Sequence, residues 1–451
     1  MGTPLHIVSL GCARNDVDSE ELAGRFAAAG FDLVDQAEQA EVVVVNTCGF
    51  IESAKAESID EILGAAELKK DGRVRTVVAT GCLAERYGAD LAASLPEADA
   101  VIGFDGYDQI GESVRQVMAG RLVKPHQPAD RRQLLPVAPA ERIASFPAWL
   151  PRNRVRLDNS PMAPLKIAAG CDRRCAFCAI PSFRGAFQSR QVDDIVREAI
   201  WLGQHGVKEL FLVSENTTSY GKDRGLGLES LLGELSQIEE IERIRLSYLQ
   251  PAQVRGSLIE AMAHTAKVAP YFDLPFQHAS PEVLRRMRRF GDAESFLGLL
   301  NQIRAVLPQA GIRSNFIVGF PGETDADVTH LIDFLGEAEL DAVGVFPYSD
   351  EEGTEAAGLD GHLDDDEITA RTREVSIVAD TVTALRAQDR IGQMVSVLVE
   401  SDHDGWTGHA GQQGPEDGGC LLTGAVGDVG VGDLVTGRIV DSDGVDWIVT
   451  M

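Results

Sequence analysis

The sequence has no run of about 18 or more apolar residues, the length that a membrane-spanning helix needs. Its first residues, MGTPLHIVSLG, lack a basic segment followed by a long apolar one, so we expect no secretory signal and a cytoplasmic location. Cysteine is scarce, at 7 of 451 residues. In a long chain without a secretory signal, so few cysteines favour metal binding or redox chemistry over disulfides.

Basic residues are also few. The chain has 41 Lys and Arg against 70 Asp and Glu, a formal net charge of −29. Such a surface repels phosphate backbones and attracts basic partners, although acidic residues can also serve solubility alone. The length predicts two or three domains.

Residues 1–118 alternate strand-like and helix-like patterns. Strands are predicted at LHIVSLG, EVVVVNTC, VRTVVATGC and ADAVIG, with a helix over about 51–69. Short apolar strands between helices are typical of a parallel sheet, so we expect an N-terminal parallel α/β domain. Residues 119–163 differ in character, because the stretch 119–165 has eight prolines and eight basic against three acidic residues. This composition predicts a basic, Pro-rich linker over the surface.

A second alternating region covers residues 164–387. Its predicted strands are LKIAAG, ELFLVS, IRLSYL, YFDLP, SNFIVGF and DAVGVFPYS. Six strand–helix units in this length favour a partial (β/α)6 barrel over a full eight-unit barrel, which needs about 250 residues. A long helix over about 364–391 leads into residues 388–451, where short strands between Gly and Asp turns predict a small all-β barrel. The fold class is therefore α/β with a C-terminal β module.

Three cysteines lie close together in GCDRRCAFCAIP, directly after the predicted strand LKIAAG. The spacing of Cys171, Cys175 and Cys178 is C-x3-C-x2-C, and three thiolates on one loop can ligate three irons of a cubane cluster. The fourth iron then stays open to a small molecule. A structural zinc site is the alternative, but it normally needs four protein ligands, and no fourth is evident nearby.

This loop, with Phe177 just before its last cysteine, resembles the radical S-adenosylmethionine superfamily. The following AIPSFRG and the pair Ser189–Arg190 resemble its methylthiotransferase family. The resemblance implies a radical SAM domain whose open iron binds S-adenosylmethionine. One electron from the cluster then cleaves the sulfonium and yields a 5′-deoxyadenosyl radical.

The remaining early cysteines each stand where a predicted strand finishes. Cys12 ends SLGC, Cys48 ends VVNTC and Cys82 ends VATGC, and the carboxyl ends of parallel strands form one ligand-binding edge. Each could be a buried structural cysteine, but three in succession favour a second three-ligand cluster. The resemblance implies the same, because methylthiotransferases carry such an N-terminal cluster, so we expect two 4Fe–4S clusters. Cys420 is expected to be a structural thiol.

Candidate contacts for S-adenosylmethionine lie at strand ends of the central region, where polar side chains tend to face the site of a barrel. The resemblance also suggests SNFIVGFPGET as an adenosine-contacting strand, although Thr324 there could simply cap a helix. His278 could also be a satisfied buried histidine, which is the commoner case. The run RRMRR over 285–289 is by default a solvated helix face, and docking to an acidic or RNA surface is the alternative. The predicted contacts are Phe177, Ser214, Glu215, Gln277, His278, Ile317, Gly319 and Glu323.

Two branches of the family compete, one modifying isopentenyl-adenosine in transfer RNA and one an aspartate of uS12, the S-twelve protein of the small ribosomal subunit. SLGCARNDVDSE, NTCGFIESAKAESID, DLPFQHAS, FIVGFPGE and YSDEEGTEAA resemble the protein-modifying branch. The transfer-RNA branch usually has Gln-Ser-Gly where this chain has Gln277, His278 and Ala279. CARN and SENTTSYG depart from the usual pattern, which leaves the roles of Glu215 and Asn216 open.

The resemblance implies uS12 or the small ribosomal subunit as partner, an electron donor such as flavodoxin or ferredoxin, and a C-terminal TRAM barrel. Residues 388–451 hold two basic and eleven acidic residues, a charge that disfavours phosphate binding, so we expect no direct binding of transfer RNA. We expect the 5′-deoxyadenosyl radical to remove a hydrogen atom from the β-carbon of the target aspartate. A transfer-RNA methylthiotransferase, or a non-catalytic iron–sulfur protein that docks on ribosomes, is the alternative.

Overall fold

The computed structural model describes residues 2–132, 154–403, 405–424 and 429–451. The chain forms two compact units, each built from three segments. The first comprises Met1–Asn159, Ala169–Arg173 and Ala179–Gln188, and the second comprises Ser160–Ala168, Arg174–Cys178 and Ser189–Met451. Among the described residues, we find no helix that is long and apolar enough to span a membrane.

A parallel sheet of five strands forms the centre of the first unit, with the order β2-β1-β3-β4-β5. The strands are β1 (Thr3–Ser9), β2 (Phe31–Leu33), β3 (Val42–Thr47), β4 (Thr76–Gly81) and β5 (Ala100–Val101). The longer helices of this unit are α1 (Ala13–Ala28), α2 (Glu52–Glu67), α3 (Cys82–Ser94) and α4 (Ile110–Met118). The predicted N-terminal parallel sheet is confirmed, and only the three-residue β2 was not predicted.

The four valines of β3 are buried on two sides. Val42 and Val44 belong to a core cluster with Phe26 and Phe104. Val43 and Val45 belong to a second cluster, together with Ile62 and Leu83. Because successive side chains point to opposite faces and both faces are covered, the strand is apolar without alternation.

The described ends of the linker are bound to the first unit by buried ion pairs. Arg131 donates from Nε to the buried carboxylate of Glu85 at 2.7 Å. Arg154 pairs with the buried carboxylate of Glu20. The basic composition of this stretch predicted a surface linker and gave no sign of these partners. Residues 133–153, the middle of the predicted linker, lie outside the described residues.

The second unit begins with six parallel strands in two groups of three. One sheet has the order β10-β9-β6 and the other β11-β12-β13. Backbone bonds connect the two groups, from Ala269 N–H to Ile244 O at 2.8 Å and from Leu249 N–H to Asp273 O at 2.9 Å. This curved series is the predicted partial barrel. Its strands are β6 (Met162–Lys166), β9 (Glu209–Val213), β10 (Arg243–Leu246), β11 (Tyr271–Asp273), β12 (Gly311–Val318) and β13 (Ala342–Pro347), and two-residue strands β7 (Ala168–Ala169) and β8 (Gln188–Ser189) lie between β6 and β9 in the chain.

Helices alternate with these strands along the chain. They are α5 (Ile180–Arg184), which belongs to the first unit, and then α6 (Val192–Gln204), α7 (Leu228–Leu235), α8 (Gly256–His264), α9 (Pro281–Arg286), α10 (Ala293–Val306), α11 (Asp325–Ala338) and α12 (Asp365–Asp389). On β12 the buried and partly exposed residues alternate. Buried Phe316 lies in an aromatic group with Phe276 and Phe334 of α11. The opposite face, with Arg313, Asn315 and Ile317, is only partly buried.

The C-terminal residues form the predicted small barrel, closed in the order β14-β15-β16-β18-β17. Its strands are β14 (Met394–Ser401), β15 (Thr407–Ala410), β16 (Cys420–Thr423), β17 (Leu434–Asp443) and β18 (Asp446–Thr450). Cys420 is buried in the barrel core, where its thiol donates to Gln413 Oε1 at 3.1 Å. This environment agrees with the structural role predicted for that thiol. The strand β15, TGHA, lacks an apolar alternation and was not predicted.

Buried charges attach this small barrel to the strands of the larger one. Glu209 of β9 accepts from Arg245 Nε at 2.6 Å and from Arg243 Nη1 at 3.2 Å. The same two arginines donate to main-chain oxygens of the small barrel, including Ser396 O at 2.7 Å and Gly411 O at 3.0 Å. Both barrels therefore share one polar network.

Candidate functional site

Three cysteines of the first unit follow three neighbouring strands of its sheet. Cys12 is the N-cap of α1 and comes three residues after β1, Cys48 follows β3 directly, and Cys82 begins α3 after β4. The strands β1, β3 and β4 are adjacent and parallel. Their carboxyl ends therefore bring the three cysteines to one edge of the sheet.

Glycines beside the cysteines let these loops approach closely. Gly11 has a φ of +89°, and a Cβ there would lie 2.9 Å from the Sγ of Cys48. A Cβ at Gly49 would lie 2.9 Å from the carbonyl carbon of Cys82. Any larger residue would separate the loops. The glycine next to each cysteine, at 11, 49 and 81, is a sequence signal from which this close approach could have been predicted.

The thiols of this edge influence one another and are surrounded by positive charge. Burial raises the pKa of Cys48 and raises the pKa of Cys82 to about 11, and neighbouring thiolates add to both effects. Burial also acts on Cys12, but the guanidinium groups of Arg14 and Arg184 outweigh it and lower the pKa of that thiol. The guanidinium groups therefore offset part of the cost that burial imposes on the thiolate form, which a metal centre needs.

Arg184, the last residue of α5, makes the most direct contact with a thiol of this edge. Its Nη2 donates to the Sγ of Cys82 at 3.1 Å and to Asp18 Oδ2 at 3.0 Å. Its guanidinium carbon lies 5.0 Å from the centre of the Phe104 ring. The motif AIPSFRG contains this arginine, but nothing in the motif predicts a contact with a thiol 102 residues away.

The donor set of this edge fits an iron–sulfur cluster. Three thiols share the site, and thiolates are the usual ligands of such clusters. Within the described ranges, no three His, Cys, Asp or Glu side chains are grouped closely enough to hold a single metal ion. In such a cluster each thiolate would bind a different iron.

The C-x3-C-x2-C loop is divided between the units, with Cys171 in the first and Cys175 and Cys178 in the second. The N–H of Cys171 donates to Gly185 O at 3.0 Å, and its sulfur accepts from the N–H of Arg173 at 3.4 Å. The N–H of Cys178 donates to Cys175 O at 3.2 Å. Main-chain bonds therefore hold each part of the loop in place.

The second unit surrounds its part of the loop with apolar residues. The N–H of Ala176 donates to Met287 O at 3.0 Å, and its carbonyl accepts from the N–H of Ala356 at 2.8 Å. The ring of Phe177 packs against a buried cluster that includes Phe320 and Tyr348. These contacts fix this part of the loop in the second unit.

The run RRMRR contributes one contact to this loop. Helix α9 ends within the run, at Arg286. Arg285 is exposed and pairs with Glu282, as expected for a solvated helix face. Arg289 instead donates from Nη1 to Gln250 Oε1 at 2.8 Å and lies 3.8 Å from the sulfur of Cys175. The run was predicted to be a solvated face throughout, and for Arg289 this was wrong, because a turn after α9 directs it towards the loop.

Three of the predicted cofactor contacts support or flank a turn after β12. The N–H of Gly319 donates to both oxygens of the Glu323 carboxylate at 3.0 Å. His278 is fully buried, with Nε2 3.3 Å from Glu323 and Nδ1 accepting from the N–H of Ser280 at 2.9 Å. The carboxylate of Glu323 therefore holds the turn, and His278 lies beside it. Thr324 caps α11 with a capping box.

The other predicted contacts occupy two places in the second unit. Gln277 exchanges main-chain bonds with Asn315 and Ile317 of β12 at 2.9 and 2.8 Å, and Ile317 packs against the same cluster as Phe177. Ser214 follows β9 and is buried, where its hydroxyl accepts from the N–H of Asn216 at 3.1 Å. Its neighbour Glu215 is partly exposed. Phe177, Gln277 and Ile317 thus lie together, while Ser214 and Glu215 lie at the end of another strand.

Comparison with known families matches two parts of the chain. Residues 4–103 match the model described as uncharacterized protein family UPF0004. Residues 165–335 match the model of the radical SAM superfamily.

Solved structures support the same fold. A radical S-adenosylmethionine methyltransferase, TsrM from Kitasatospora setae, solved with tryptophan substrate and a SAM analogue, superposes with a TM-score of 0.56 at 14% identity over 77% of this chain and 73% of that chain. The same enzyme solved with cobalamin and a 4Fe–4S cluster gives 0.54 at 15% identity over 77% and 75%. At this identity the similarity shows the fold alone.

Curated relatives are much more similar in sequence. Three proteins named ribosomal protein uS12 methylthiotransferase RimO match 98% of this chain: those of Saccharopolyspora erythraea at 57% identity over 94% of that protein, Nocardioides sp. at 58% over 95%, and Kineococcus radiotolerans at 56% over 96%. With such identity over nearly its full length, and with the radical SAM match at its centre, the chain belongs to the ribosomal protein uS12 methylthiotransferase family.

Proposed function

We propose that this chain is a radical SAM methylthiotransferase that adds a methylthio group to the β-carbon of an aspartate of ribosomal protein uS12. The names of the relatives support the reaction and the substrate protein. The observation that carries the proposal is the edge of the N-terminal sheet, where Cys12, Cys48 and Cys82 share a site with positive charge. A sulfur-inserting enzyme needs such a site in addition to its radical SAM loop.

Six cysteines are proposed as cluster ligands. Cys12, Cys48 and Cys82 would hold one 4Fe–4S cluster, and Cys171, Cys175 and Cys178 would hold the other, to which S-adenosylmethionine binds. When bound, the second cluster supplies the electron that reductively cleaves S-adenosylmethionine, chemistry that side chains alone cannot perform.

The protein's own part is to orient these groups and to exclude water. Phe177 with the buried rings of Phe320 and Tyr348 forms an apolar wall beside the loop, which protects a reactive species from solvent. The turn at Gly319, fixed by Glu323, presents main chain at the end of β12 for the adenosine part of the cofactor. Glu215 and Gln277 remain proposed polar contacts of that cofactor.

The proposed partners follow from charge and from the reaction. Ribosomal proteins are typically basic, and Asp441, Asp443 and Asp446 are exposed on the C-terminal barrel. Not every acid there is available, since Asp417 binds Arg313 at 3.2 Å. Low-potential electrons would come from flavodoxin or ferredoxin in the cytoplasm, and we expect no direct binding of transfer RNA. The proposed domains are 1–118, the linker 119–163, the radical SAM domain 164–387 and the TRAM domain 388–451.

Mass spectrometry of uS12 and of transfer RNA from a deletion strain tests the proposed function. We expect the aspartate of uS12 to lose the mass of the methylthio group and the RNA to be unchanged. Loss from the RNA would instead assign the chain to the other branch. Failure of the purified enzyme to release 5′-deoxyadenosine under strong reductant would favour a non-catalytic docking protein.

Anaerobic reconstitution tests the ligand assignment. Replacing Cys12, Cys48 and Cys82 by Ala should remove about half of the bound iron and leave the release of 5′-deoxyadenosine in place. Replacing Cys171, Cys175 and Cys178 should also halve the iron but abolish that release. Unchanged iron in the first variant would contradict the N-terminal cluster.

A further inference from the structure

A buried ion pair holds Arg184 against the N-terminal cysteine edge. Its Nη2 carries two N–H groups, one donated to Cys82 Sγ at 3.1 Å and one to Asp18 Oδ2 at 3.0 Å. The two side chains of the ion pair are only 3% and 1% exposed. A cation this deeply buried depends on its anion, so Asp18 fixes the guanidinium in contact with the sulfur.

Two arginines contact thiols of this edge. Arg184 Nη2 lies 3.1 Å from the sulfur of Cys82, and Arg14 Nη2 lies 3.6 Å from the sulfur of Cys12. Arg14 is partly exposed, so solvent weakens its effect, whereas Arg184 is not screened in this way. A buried cation in contact with a ligand sulfur also favours further negative charge on the group which that sulfur holds.

The reduction potential of an iron–sulfur cluster follows its net charge, its exposure and the hydrogen bonds to its sulfurs. Arg184 supplies both a charge and an N–H···S bond at one ligand. We propose that Arg184 is a positioning residue for the N-terminal cluster: held by Asp18, it donates to the ligand sulfur of Cys82 and stabilises the more reduced state of that cluster. The inference rests on the proposed function, in that the three cysteines are taken as ligands.

The position of Arg184 in the chain connects the two sets of cysteines. It ends α5, which starts two residues after Cys178 of the radical SAM loop. One stretch of seven residues, 178–184, thus carries a proposed ligand of one cluster and the cation of the other. An arginine six residues after Cys178 therefore has a physical role, because α5 places it in contact with Cys82.

The test measures the midpoint potential of the N-terminal cluster alone. Full-length protein with Ala at 171, 175 and 178 is reconstituted anaerobically and titrated with reductant while the reduced cluster is followed by electron paramagnetic resonance. In R184M, we expect full iron loading and an about tenfold lower ratio of reduced to oxidised cluster at a given potential, or about 59 mV for one electron. D18N keeps the cation and loses the anion, so its ratio should rise, and R184K should recover most of the parent ratio.

Arg154 offers the matched control, because it is also buried and pairs with Glu20 on the same helix. R154M should leave the ratio within about threefold of the parent, the scale on which individual interactions vary with context. An unchanged ratio in iron-loaded R184M, or shifts of the same sign in R184M and D18N, would overturn the inference.

Two outcomes concern folding and loading. If R184M does not fold, the double variant R184M/D18N removes both buried charges and carries the test, and its ratio must still fall because the N–H···S bond is gone. A parent protein that binds no iron would contradict the proposed ligands themselves. An iron-loaded parent with an unresponsive R184M would contradict only the role of Arg184.

Discussion

The buried carboxylate of Glu209 allows a quantitative prediction. It accepts from Arg245 at 2.6 Å and Arg243 at 3.2 Å, and these two arginines bind the main chain of the C-terminal barrel. Glu209→Gln removes the only anion of this trio and leaves two buried guanidinium groups facing a neutral amide. Breaking a buried pair in this way costs about 3–5 kcal/mol.

The main-chain acceptors of the arginines place the expected cost at the lower end of this range. Their oxygens still satisfy N–H groups of both guanidiniums, so we expect a loss of about 3 kcal/mol in the free energy of unfolding. With a urea dependence of about 3 kcal/mol per M, the midpoint of unfolding falls by ~1 M. Urea titration followed by tryptophan fluorescence measures this midpoint, since two of the four tryptophans, Trp406 and Trp447, lie in the C-terminal barrel.

The pH dependence provides a second signature. Burial raises the pKa of Glu209, but the charges of Arg245 and Arg243 outweigh it and lower that pKa below its ordinary value. The ion pair therefore stabilises the fold above the ordinary Glu range, and the stabilisation is lost as pH falls through the lowered pKa. Wild type and E209Q should differ at pH 7 and converge in acid.

Glu242 is the control, because it is half exposed and lies 3.7 Å from Lys208 at the surface. E242Q should change the free energy of unfolding by less than about 1 kcal/mol. An E209Q midpoint equal to that of wild type at pH 7 would refute the reasoning, since it would mean that the arginines need no anion.

Three further perturbations have distinct expected results. Gly11→Ala places a Cβ 2.9 Å from Cys48 Sγ at a φ of +89°. About half of the iron should therefore be lost on reconstitution, while 5′-deoxyadenosine is still released. Full iron loading would show that the loops can separate freely. Arg289→Met removes the cation 3.8 Å from Cys175 Sγ. At unchanged iron content, the release of 5′-deoxyadenosine, measured by chromatography, should be about tenfold slower. An equal rate would assign Arg289 to packing alone. Burial raises the pKa of Asp273 from 3.8 to about 6, so its ionisation destabilises the fold as pH rises through this range. Asp273→Asn should raise the free energy of unfolding at pH 8 by up to about 3 kcal/mol and have no effect below about pH 3, and equal stability at pH 8 would contradict the raised pKa.

The regular elements followed from local patterns. The strand β3 could be predicted because four consecutive valines indicate burial on two faces. The long helix α12 could be predicted because its sequence has a helical pattern. Short strands such as β15, with the sequence TGHA, carry no such pattern and form only because partners on both sides bind them.

The candidate site was predictable where chemistry requires a residue type. Three cysteines at strand ends favoured a shared site, and the strand order of the sheet brings them to one edge. Their supporting cations were not predictable, because Arg184 reaches Cys82 across 102 residues and Arg289 reaches Cys175 across 114. Residue type alone did not decide two other cases. An arginine of the run 285–289 could be solvated or could contact the loop, and His278 could be structural or could bind the cofactor.

The three-segment composition of the first unit has a consequence for modularity. Asp18, Glu20 and Glu85 are buried, and their arginines come from residues 184, 154 and 131. A gene fragment that ends at residue 118 would therefore code for three buried carboxylates without their counter-ions. Such a fragment should be obtained only as unfolded or aggregated protein, whereas extension to residue 188 restores every one of these pairs. The N-terminal domain could thus be inherited or transplanted only together with the first part of the radical SAM segment, and recombination between the two would be selected against at the level of folding.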